Sequence, residues 1–528
     1  MSRESLLHPL SLRESVADEA AQWLVRQLGK GAKLRSDTRK IQPGDGFIAR
    51  SGKHFSSAEL ATKAMEAGAA AVIVEGLGEA GRPREIPGAL PRLEVPELTR
   101  RIGMIASAFY GRPSMTLQLI AVTGTNGKTT VSFALAHALA RVGISSAAVG
   151  TLGVGIFPAG CAQEFTPPWS DTATQGLTTP DAVELQTLLY ELKQQSVKVV
   201  VLEASSIGLM QGRLQGCAIK LAAFTNLSHD HLDIHGTLEN YAKAKALLFA
   251  APTLGSVVIN TDDPFGMAMW QTPEQVVDRI AIGRETPANA HSGLCAISAA
   301  ATEQGMTLSI EGRFKAHLLS GVVRLPLHGM HNIENAMVVA GCLWAMELEP
   351  EQIRARLSEL RLPPGRLQML DSGPGPLACI DYAHSPLALQ SALQALRPLA
   401  QARSGQLVCV FGCGGDRDSA KRPLMGEIAS KLADRVVITS DNPRSEDPQK
   451  IIEAILSGVP TAFAARVQQQ ADRAQAIAQV IATARPNDVV LIAGKGHEAS
   501  QWIGSQRIAF SDCEHAQAAL ESRGVAHA

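Results

Sequence analysis

The glycine-rich turn at residues 122–130, Val-Thr-Gly-Thr-Asn-Gly-Lys-Thr-Thr, constrains the fold of this chain more than any other feature. The apolar run at 119–122 predicts a buried strand before the turn, and the apolar positions between 131 and 139 predict a helix after it that stops near Gly143. A strand, a glycine loop and a helix N-terminus surround a phosphate group with backbone N–H donors and positive potential. We therefore expect ATP or GTP here, with Lys128 reaching the terminal phosphates and the Thr129 hydroxyl holding Mg²⁺.

The turn departs from the ordinary phosphate-binding loop. The common pattern has a glycine five positions before Gly127, where this chain has Val122. The extra glycine here is Gly124, which gives the shorter pattern Gly-x-x-Gly-Lys-Thr. The shortened loop indicates a particular class of nucleotide enzyme.

The composition limits the classes of partner and the cellular compartment that we expect for this chain. A chain of 528 residues predicts about three domains. The formal net charge of −1 and the aromatic content of 4% favour neither nucleic acid nor a membrane surface as a partner. We expect no secretory signal and no membrane span, because the start lacks an apolar core and no run of ~18 apolar residues occurs. The eight cysteines include no Cys-x-x-Cys pair, which predicts reduced thiols in a cytoplasmic protein.

Three segments follow from the turn signals and from the alternation of strands and helices. We expect a small α/β N-terminal domain over 1–112, a central domain with the phosphate loop and a parallel sheet over 113–362, and a C-terminal Rossmann-like domain over 363–528. Each predicted strand should lead into a ligand loop, because ligands of parallel sheets bind at the strands' carboxyl ends. The predicted strands are 70–74, 197–202, 256–260, 407–411, 435–438 and 489–492.

An acidic residue and a histidine-rich stretch follow the phosphate loop. Glu203 comes directly after an apolar strand and resembles a Walker-B Mg²⁺ ligand, although a solvated strand-end carboxylate is the alternative. Residues 229–235 hold three histidines and two aspartates. A zinc site is one interpretation of this density, and a single imidazole on Mg²⁺ or near phosphate is another.

A lysine on the next helix is predicted to point inward. On the helix predicted at 241–249, Tyr241, Lys245, Leu248 and Phe249 share one face, and Lys243 lies on another. Apolar surroundings would lower the pKa of Lys245. Its neutral amine could act as a nucleophile or take up CO₂ as a carbamate, and the alternative is an ordinary lysine whose ammonium reaches solvent.

Four loops of the last segment, 381–386, 412–418, 441–444 and 493–498, follow apolar strands and carry charged side chains, which together indicate a polar ligand with several charges. Together with the earlier motifs they resemble the Mur ligases of peptidoglycan synthesis, and within that family the enzymes that add a diamino acid. The resemblance rests on 123–130, 203–206, 230–236, 241–245, 331–335 and 381–384, and it spans essentially the whole chain.

The resemblance implies an ATP-dependent amide ligase. It would add meso-2,6-diaminopimelate to the D-Glu of UDP-N-acetylmuramoyl-L-Ala-D-Glu through an acyl phosphate and a tetrahedral intermediate. Lys128, Glu203, His231 and a carbamylated Lys245 would be catalytic. Two Mg²⁺ ions are implied, one near Thr129 and Glu203 and one near His231 and the CO₂-derived carbamate. The implied ATP-binding residues are Gly124, Thr125, Asn126, Gly127, Lys128, Thr129, Thr130, Asn332, Asn335, Arg366, Asp381 and His384.

The same resemblance implies the positions that bind the UDP-sugar dipeptide. The family commonly has a histidine after the paired serines, where this chain has Ile207, so a polar role at that point is absent or taken by a neighbour. We expect a monomer. The implied dipeptide contacts are Ser36, Thr38, Lys53, His54, Phe55, Thr178, Thr179, Ser205, Gln211 and Arg213.

The Asp-Asn-Pro-Arg run at 441–444 resembles the signature of ligases that choose diaminopimelate over L-lysine. An arginine fork can pair with the distal carboxylate that lysine lacks. An L-lysine-adding ligase, a folylpolyglutamate synthase-like ligase, a nucleotide-hydrolysing switch and a UDP-sugar binding protein are the alternatives. The implied diaminopimelate-binding residues are Arg417, Asp441, Asn442, Pro443, Arg444, Gly494 and Glu498.

Overall fold

The computed structural model describes residues 3–50, 56–77, 81–170, 174, 176–271, 278–287, 290, 292–302, 304–315, 317–370 and 375–527. The chain forms two compact units. The first comprises Met1–Ile282, Thr286–Gly293 and Gly341–Leu348, and the second Gly283–Glu285, Leu294–Ala340 and Glu349–Ala528. None of the helices in the described ranges is long and apolar enough to cross a membrane.

The first unit begins with a five-stranded sheet in the order β1-β2-β3-β5-β4. All neighbours are parallel except β4, which runs antiparallel to β5. The apolar strands lie in the middle of the order, and all four residues of β2 are buried, whereas the edge strand β4 has two exposed charged residues. Its elements are α1 (Arg3–Gln27), β1 (Leu34–Arg35), β2 (Gly46–Ala49), α2 (Ser57–Glu66), β3 (Ala71–Glu75), β4 (Arg84–Ile86), β5 (Arg92–Val95) and α3 (Ile102–Phe109).

A second sheet of the first unit contains the phosphate loop, in the order β12-β11-β10-β6-β9-β7-β8. Its strands are parallel except β8, which forms an antiparallel hairpin with β7. Parallel pairing brings the carboxyl ends of β6, β7, β9 and β10 to one edge. Its elements are β6 (Gln118–Thr123), α4 (Lys128–Arg141), β7 (Ser146–Gly150), β8 (Gly153–Phe157), α5 (Ala182–Gln194), β9 (Val199–Glu203), α6 (Ser206–Met210), β10 (Ile219–Phe224), α7 (Leu232–His235), α8 (Leu238–Ala246), β11 (Ser256–Asn260), α9 (Pro264–Trp270) and β12 (Asp278–Gly283).

The second unit has an antiparallel part and a mostly parallel sheet. Strands β13 (Gly293–Thr302), β14 (Gly305–Phe314) and β15 (His317–Leu325) are neighbours. The sheet order that follows is β16-β17-β21-β18-β19-β20, with only β16 antiparallel, and β22 and β23 form a hairpin. Its other elements are α10 (Met330–Ala345), α11 (Pro350–Ser358), β16 (Gln368–Leu370), β17 (Leu377–Asp381), α12 (Pro386–Ala402), β18 (Leu407–Phe411), α13 (Lys421–Leu432), β19 (Arg435–Ile438), α14 (Pro448–Leu456), β20 (Val467–Gln469), α15 (Arg473–Thr483), β21 (Val489–Ala493), β22 (Ser500–Ile503), β23 (Gln506–Ala509) and α16 (Asp512–His527).

The predicted α/β class is confirmed, and one predicted feature is wrong. Strands β11, β18 and β19 begin and end where the sequence predicted, and all eight cysteines are free thiols. The alternation of strands and helices expected over 113–362 fails at 293–325, where three strands follow one another. Strand β14 alternates buried and more exposed positions, which is typical of a sheet with one buried face. The division into three domains, with boundaries near 112 and 362, stays a prediction.

A buried ion pair holds four segments of the second unit together. The first residue of α15, Arg473, donates from Nε and Nη2 to the carboxylate of Asp512, the first residue of α16, at 2.7 Å each. Both side chains are fully buried. The same guanidinium donates to the carbonyl of Ser440 beyond β19 at 3.1 Å and to that of Ala493 at the end of β21 at 2.9 Å. One side chain therefore fixes two strand ends and two helix starts.

Replacing Arg473 should destabilise the second unit strongly. Arg473→Met leaves the Asp512 carboxylate buried and unpaired, which costs about 3–5 kcal/mol. The matched control is Lys431→Met, which breaks an exposed ion pair with Glu427 and should cost less than about 0.5 kcal/mol. The free energy of unfolding from urea titrations measures both. Equal small losses in the two variants would contradict the role given to Arg473.

Candidate functional site

The phosphate loop is shorter than the ordinary one because its first position belongs to the sheet. Val122 is fully buried in β6 and pairs with Glu203 of β9 and Ala223 of β10. The turn therefore starts at Gly124, with φ of 150°, and closes at Gly127, with φ of 84°, before α4 begins. A Cβ at Gly124 would lie 1.8 Å from the Thr225 hydroxyl, so only glycine fits.

Residues after β10 brace the loop, a role that was not predicted from the sequence. Thr125 N–H donates to the Asn226 carbonyl at 2.8 Å, and Asn126 N–H donates to Asn226 Oδ1 at 3.0 Å. In return the Thr225 hydroxyl donates to the Asn126 carbonyl at 2.6 Å, and Ser228 N–H donates to Thr125 Oγ1 at 2.9 Å. The segment that follows β10 thus fixes the conformation of the loop through four hydrogen bonds.

A buried carboxylate lies beside the start of α4. The Thr129 hydroxyl donates to Glu203 Oε2 at 3.0 Å. Thr151, which follows β7, donates its N–H to Oε1 at 2.9 Å and its hydroxyl to Oε2 at 3.1 Å. Glu203 is therefore not a solvated strand-end carboxylate. Sequence reasoning missed Thr151, although the same signal that selected Glu203, a polar residue at the end of an apolar strand, applies to it.

Two lysines meet at one backbone oxygen of the loop. Lys245 Nζ donates to the Gly124 carbonyl at 2.7 Å, and Lys128 Nζ donates to the same carbonyl and to that of Thr125, both at 2.8 Å. The inward orientation predicted for Lys245 is confirmed, since it is 1% exposed while Lys243 is exposed. Burial, and then the charge of Lys128, hold the pKa of Lys245 well below its usual range. Its amine is therefore poised to be neutral.

His231 and His235, which come before α8 in the chain, differ in exposure and in contacts. The His231 ring is half-exposed and lies edge-on to the buried ring of Tyr241, 6.1 Å between centroids. Lys245 Nζ lies 4.4 Å from the same tyrosine ring. His235 is buried, pairs through Nε2 with the Ser206 hydroxyl at 2.9 Å, and has its pKa lowered by burial. Across the described ranges, no three His, Cys, Asp or Glu side chains converge, so the zinc interpretation has no support.

The oxygen donors around the loop fit Mg²⁺ better than a softer metal. The Thr129 and Thr151 hydroxyls and both Glu203 oxygens lie in one hydrogen-bonded group. Hydroxyl and carboxylate oxygens are the ligands that Mg²⁺ prefers.

A second network continues from Glu203 toward the residues expected to bind the dipeptide. The Thr179 hydroxyl donates to the Glu203 carbonyl at 2.7 Å and accepts from Ser205 N–H at 2.9 Å. Arg213 donates to the Thr179 carbonyl at 2.6 Å and through two nitrogens to Gln211 Oε1. The described contacts therefore join these four predicted positions, and Thr178 lies 3.4 Å from Thr151 between hydroxyl oxygens.

The N-terminal positions are partly connected to this network. The Ser36 hydroxyl donates at 3.1 Å to Asp181, the N-cap of α5. Thr38 begins a short 3₁₀ helix capped by Asp37. Lys53, His54 and Phe55 lie outside the described residues.

In the second unit, three predicted nucleotide positions gather around Tyr382. The Arg366 guanidinium lies 4.5 Å from the tyrosine ring centre, and the His384 ring is 4.7 Å from it. Asp381 accepts Leu367 N–H at 2.7 Å and Ala383 N–H at 2.8 Å, and burial raises its pKa.

The other two form a separate pair on α10. Asn335 Nδ2 donates to Asn332 Oδ1 at 3.3 Å, and Asn332 Nδ2 donates to the His328 carbonyl at 2.9 Å.

The residues expected to bind the diamino acid lie at three neighbouring strand ends of the second unit. A Cβ at Gly414, after β18, would lie 3.1 Å from Arg444 Nη1 and 3.8 Å from Arg417 Cγ, so the two arginines flank this glycine. Arg444 Nη1 donates to the Gly415 carbonyl at 2.7 Å. Pro443 orients the turn, since Glu446 N–H donates to its carbonyl at 3.0 Å.

The third of these loops, after β21, completes the group. Gly494, with φ of 121°, donates its N–H to the Asp381 carbonyl at 3.0 Å, and a Cβ there would lie 3.6 Å from Asp441 Oδ2. Asn442 Nδ2 donates to Glu498 Oε2 at 2.9 Å. The described structure therefore places the guanidinium groups of Arg417 and Arg444 and the carboxylates of Asp441 and Glu498 around these loops.

Known proteins match this chain along nearly its whole length. Residues 122–343 match the Mur ligase middle domain, and residues 365–496 match the Mur ligase glutamate ligase domain. A protein of Acidovorax sp. (strain JS42), named UDP-N-acetylmuramoyl-L-alanyl-D-glutamate–2,6-diaminopimelate ligase, is 42% identical over 96% of this chain and 97% of its own. A protein of the same name from Pseudomonas aeruginosa is 41% identical over 98% of this chain and all of its own length (100%).

Solved structures of known proteins are also similar to this chain in fold. The structure of a ligase with that name is 34% identical and covers 93% of this chain and 95% of its own, with a TM-score of 0.63. A folylpolyglutamate synthase of Mycobacterium tuberculosis, solved with ADP and AMPPCP, is 21% identical and covers 75% of this chain and 92% of its own, with a TM-score of 0.57. The second likeness shows the fold alone.

Proposed function

This chain belongs to the Mur ligase family, and we propose that it joins meso-diaminopimelate to the D-Glu of UDP-N-acetylmuramoyl-L-Ala-D-Glu with cleavage of ATP. Relatives about 40% identical over nearly the full length carry that name. The observation that carries the proposal is the pair Arg417 and Arg444 around Gly414, with Glu498 anchored to Asn442 nearby. A diamino acid with a distal carboxylate and a distal ammonium needs charges of both signs.

ATP binds at the phosphate loop in this proposal. Loop N–H groups and the start of α4 surround the phosphates, and Lys128 stabilises charge on the phosphoryl group in transfer. Asn332, Asn335, Arg366, Asp381 and His384 are proposed nucleotide contacts of the second unit. Family membership argues against a nucleotide-hydrolysing switch, since Mur ligases are ATP-dependent ligases.

The reaction activates a poor electrophile. The side-chain carboxylate of D-Glu attacks the terminal phosphorus of ATP, so an O–P bond forms and ADP leaves. The amine of diaminopimelate then attacks the acyl carbon, and a tetrahedral intermediate results. Its collapse breaks the C–O bond, releases phosphate and one proton, and leaves the amide.

Two Mg²⁺ ions would be held by the residues around the loop. Thr129 and Glu203 are the proposed ligands of one, and His231 with a carbamate on Lys245 those of the other. When bound, the ions offset the repulsion between the phosphates and the carboxylate. An ammonium at Lys245 would oppose a cation there, whereas a carbamate supplies an anionic oxygen.

Carbamylation of Lys245 is a simple addition. The neutral amine attacks the carbon of CO₂, an N–C bond forms, and one proton leaves to solvent. The lowered pKa favours this, because the neutral fraction grows as the pKa falls. The carbamate should be lost as the pH drops through that lowered pKa, since an ammonium has no lone pair for CO₂.

Removing Lys245 should abolish ligation, and short carboxylic acids should restore part of it. Lys245→Ala opens space in which a small carboxylate can replace the carbamate oxygens. Lys243→Ala is the matched control, because Lys243 lies exposed on the same helix. Ligation rates with and without acetate, and the ¹³C signal of a carbamate formed from labelled bicarbonate, measure the effect. Full activity of Lys245→Ala without added acid would disprove the carbamate.

The dipeptide substrate is proposed to bind the network of Thr178, Thr179, Ser205, Gln211 and Arg213. Ser36 and Thr38, with the three positions outside the described residues, complete the proposed contacts. We place the reaction in the cytoplasm, which the use of ATP and the eight free thiols support. The monomeric state stays a prediction.

Selection of diaminopimelate over L-lysine is proposed to depend on Arg444. A guanidinium pairs with the distal carboxylate through two hydrogen bonds, and L-lysine would leave it unpaired. An L-lysine-adding enzyme has no use for a second cation beside Gly414. The folylpolyglutamate synthase-like alternative is supported only by a likeness of fold.

Arg444→Ala should raise the KM for meso-diaminopimelate about 10–100-fold, because a charge-assisted pair contributes about 1.5–3 kcal/mol. The KM for ATP should stay within about twofold of the wild-type value, and the preference over L-lysine should fall. Arg435→Ala, at the opposite end of β19, is the control and should change neither constant. Steady-state kinetics with both amino acids provide the measurement. Unchanged diaminopimelate kinetics in Arg444→Ala would contradict the proposed contact between Arg444 and the distal carboxylate.

A further inference from the structure

Lys495 is a lysine without access to solvent. It follows Gly494 beyond β21, and its side chain is fully buried. A buried ammonium is costly unless anions and hydrogen-bond acceptors surround it. The sequence pattern indicated a ligand loop at 493–498 but no role for Lys495.

Its ammonium binds the side chains expected to hold the diamino acid. Lys495 Nζ donates to Glu498 Oε2 at 3.0 Å and to Asn442 Oδ1 at 3.1 Å. It also lies 3.7 Å from Asp441 Oδ1. Because Asn442 Nδ2 donates to Glu498 Oε2 at 2.9 Å, the lysine, the amide and the carboxylate form a closed triangle.

The triangle fixes which way each polar group faces. Asn442 Oδ1 accepts both Lys495 and the backbone N–H of Trp502, the latter at 3.0 Å, so its amide has one favoured orientation. Glu498 uses Oε2 for both internal bonds and remains about one-third exposed. Within the part of the chain that the structure describes, no residue hydrogen-bonds Oε1, so that oxygen is left for a ligand.

Charge gives a second reason for the lysine. Asp441 and Glu498 are two carboxylates close to one ammonium, and the charge of the buried Arg473 opposes the rise in the pKa of Asp441 caused by burial. Without Lys495, the site would hold two carboxylates with one cation fewer, and Glu498 Oε2 would keep only the hydrogen bond from Asn442.

We propose that Lys495 is a positioning residue for the diamino acid: by holding Glu498 Oε2 and Asn442 Oδ1, it aims Glu498 Oε1 at the distal ammonium of the substrate. This inference rests on the proposed function, because it assumes that Glu498 binds an ammonium. Lys495 itself does not touch the substrate, since it is buried beneath these side chains.

The first variant is Lys495→Met, which keeps the length and volume of the side chain but removes the charge. The KM for meso-diaminopimelate should rise about tenfold, while kcat and the KM for ATP stay within about threefold. Val480→Ala, a core substitution on α15, is the control for a general loss of stability and should leave the KM for the amino acid unchanged. If Lys495→Met does not fold, Lys495→Gln, which keeps one donor, should show a smaller rise of the same kind.

A double-mutant cycle separates positioning from a merely structural effect. If Lys495 acts through Glu498, adding Lys495→Met to Glu498→Gln should raise the KM less than about twofold further. A KM that rises by the same factor in both backgrounds, or a single variant with the wild-type KM, would overturn the proposal.

The proposed function fails in a distinguishable way. A wild-type enzyme that used L-lysine as well as meso-diaminopimelate would contradict the proposed specificity. The role of Lys495 would still be tested by the KM for L-lysine, because that amino acid carries the same distal ammonium.

Discussion

The carbonyl oxygen of Gly124 is the point on which the first unit depends. It accepts hydrogen bonds from Lys128 and from Lys245, and so brings the two side chains together at the loop. The loop can present this carbonyl because Gly124 has no Cβ to meet Thr225. The short loop, the buried strand residue Val122 and the inward lysine are thus parts of one arrangement. It holds the amine of Lys245 at the loop and close to the ring of Tyr241, where a metal-binding carbamate is proposed to form.

In the second unit, two buried cations hold the loops and side chains of the proposed amino-acid site. Arg473 fixes the ends of β19 and β21, and Lys495 fixes the side chains that those strand ends carry. Loss of Arg473 and loss of Lys495 would have different consequences. Loss of Arg473 leaves a buried carboxylate and two carbonyls without their donor, whereas loss of Lys495 changes the direction of groups that face a ligand. Stability and specificity are therefore assigned to different residues of one network.

The features that could be predicted from the sequence are those that depend on a few consecutive residues. A strand leading into a glycine or acidic loop is visible in a few consecutive residues, so Glu203, the phosphate loop and the inward face of Lys245 were predicted. The brace from Asn226 joins residues 100 apart, and the bond from Lys495 to Asn442 joins residues 53 apart. Only the sheet order brings such pairs together, so single-sequence reasoning missed Thr225, Thr151, Arg473 and Lys495. The antiparallel strands at 293–325 were missed because the strand–helix alternation recognised at earlier strands was extended over the whole of 113–362.

The most direct test of the account is the substrate requirement of phosphate release from ATP. We expect ADP, phosphate and the amide product to form in equal amounts only when UDP-N-acetylmuramoyl-L-Ala-D-Glu and meso-diaminopimelate are both present. Phosphate released at the same rate without either substrate would contradict it and favour a nucleotide-hydrolysing switch.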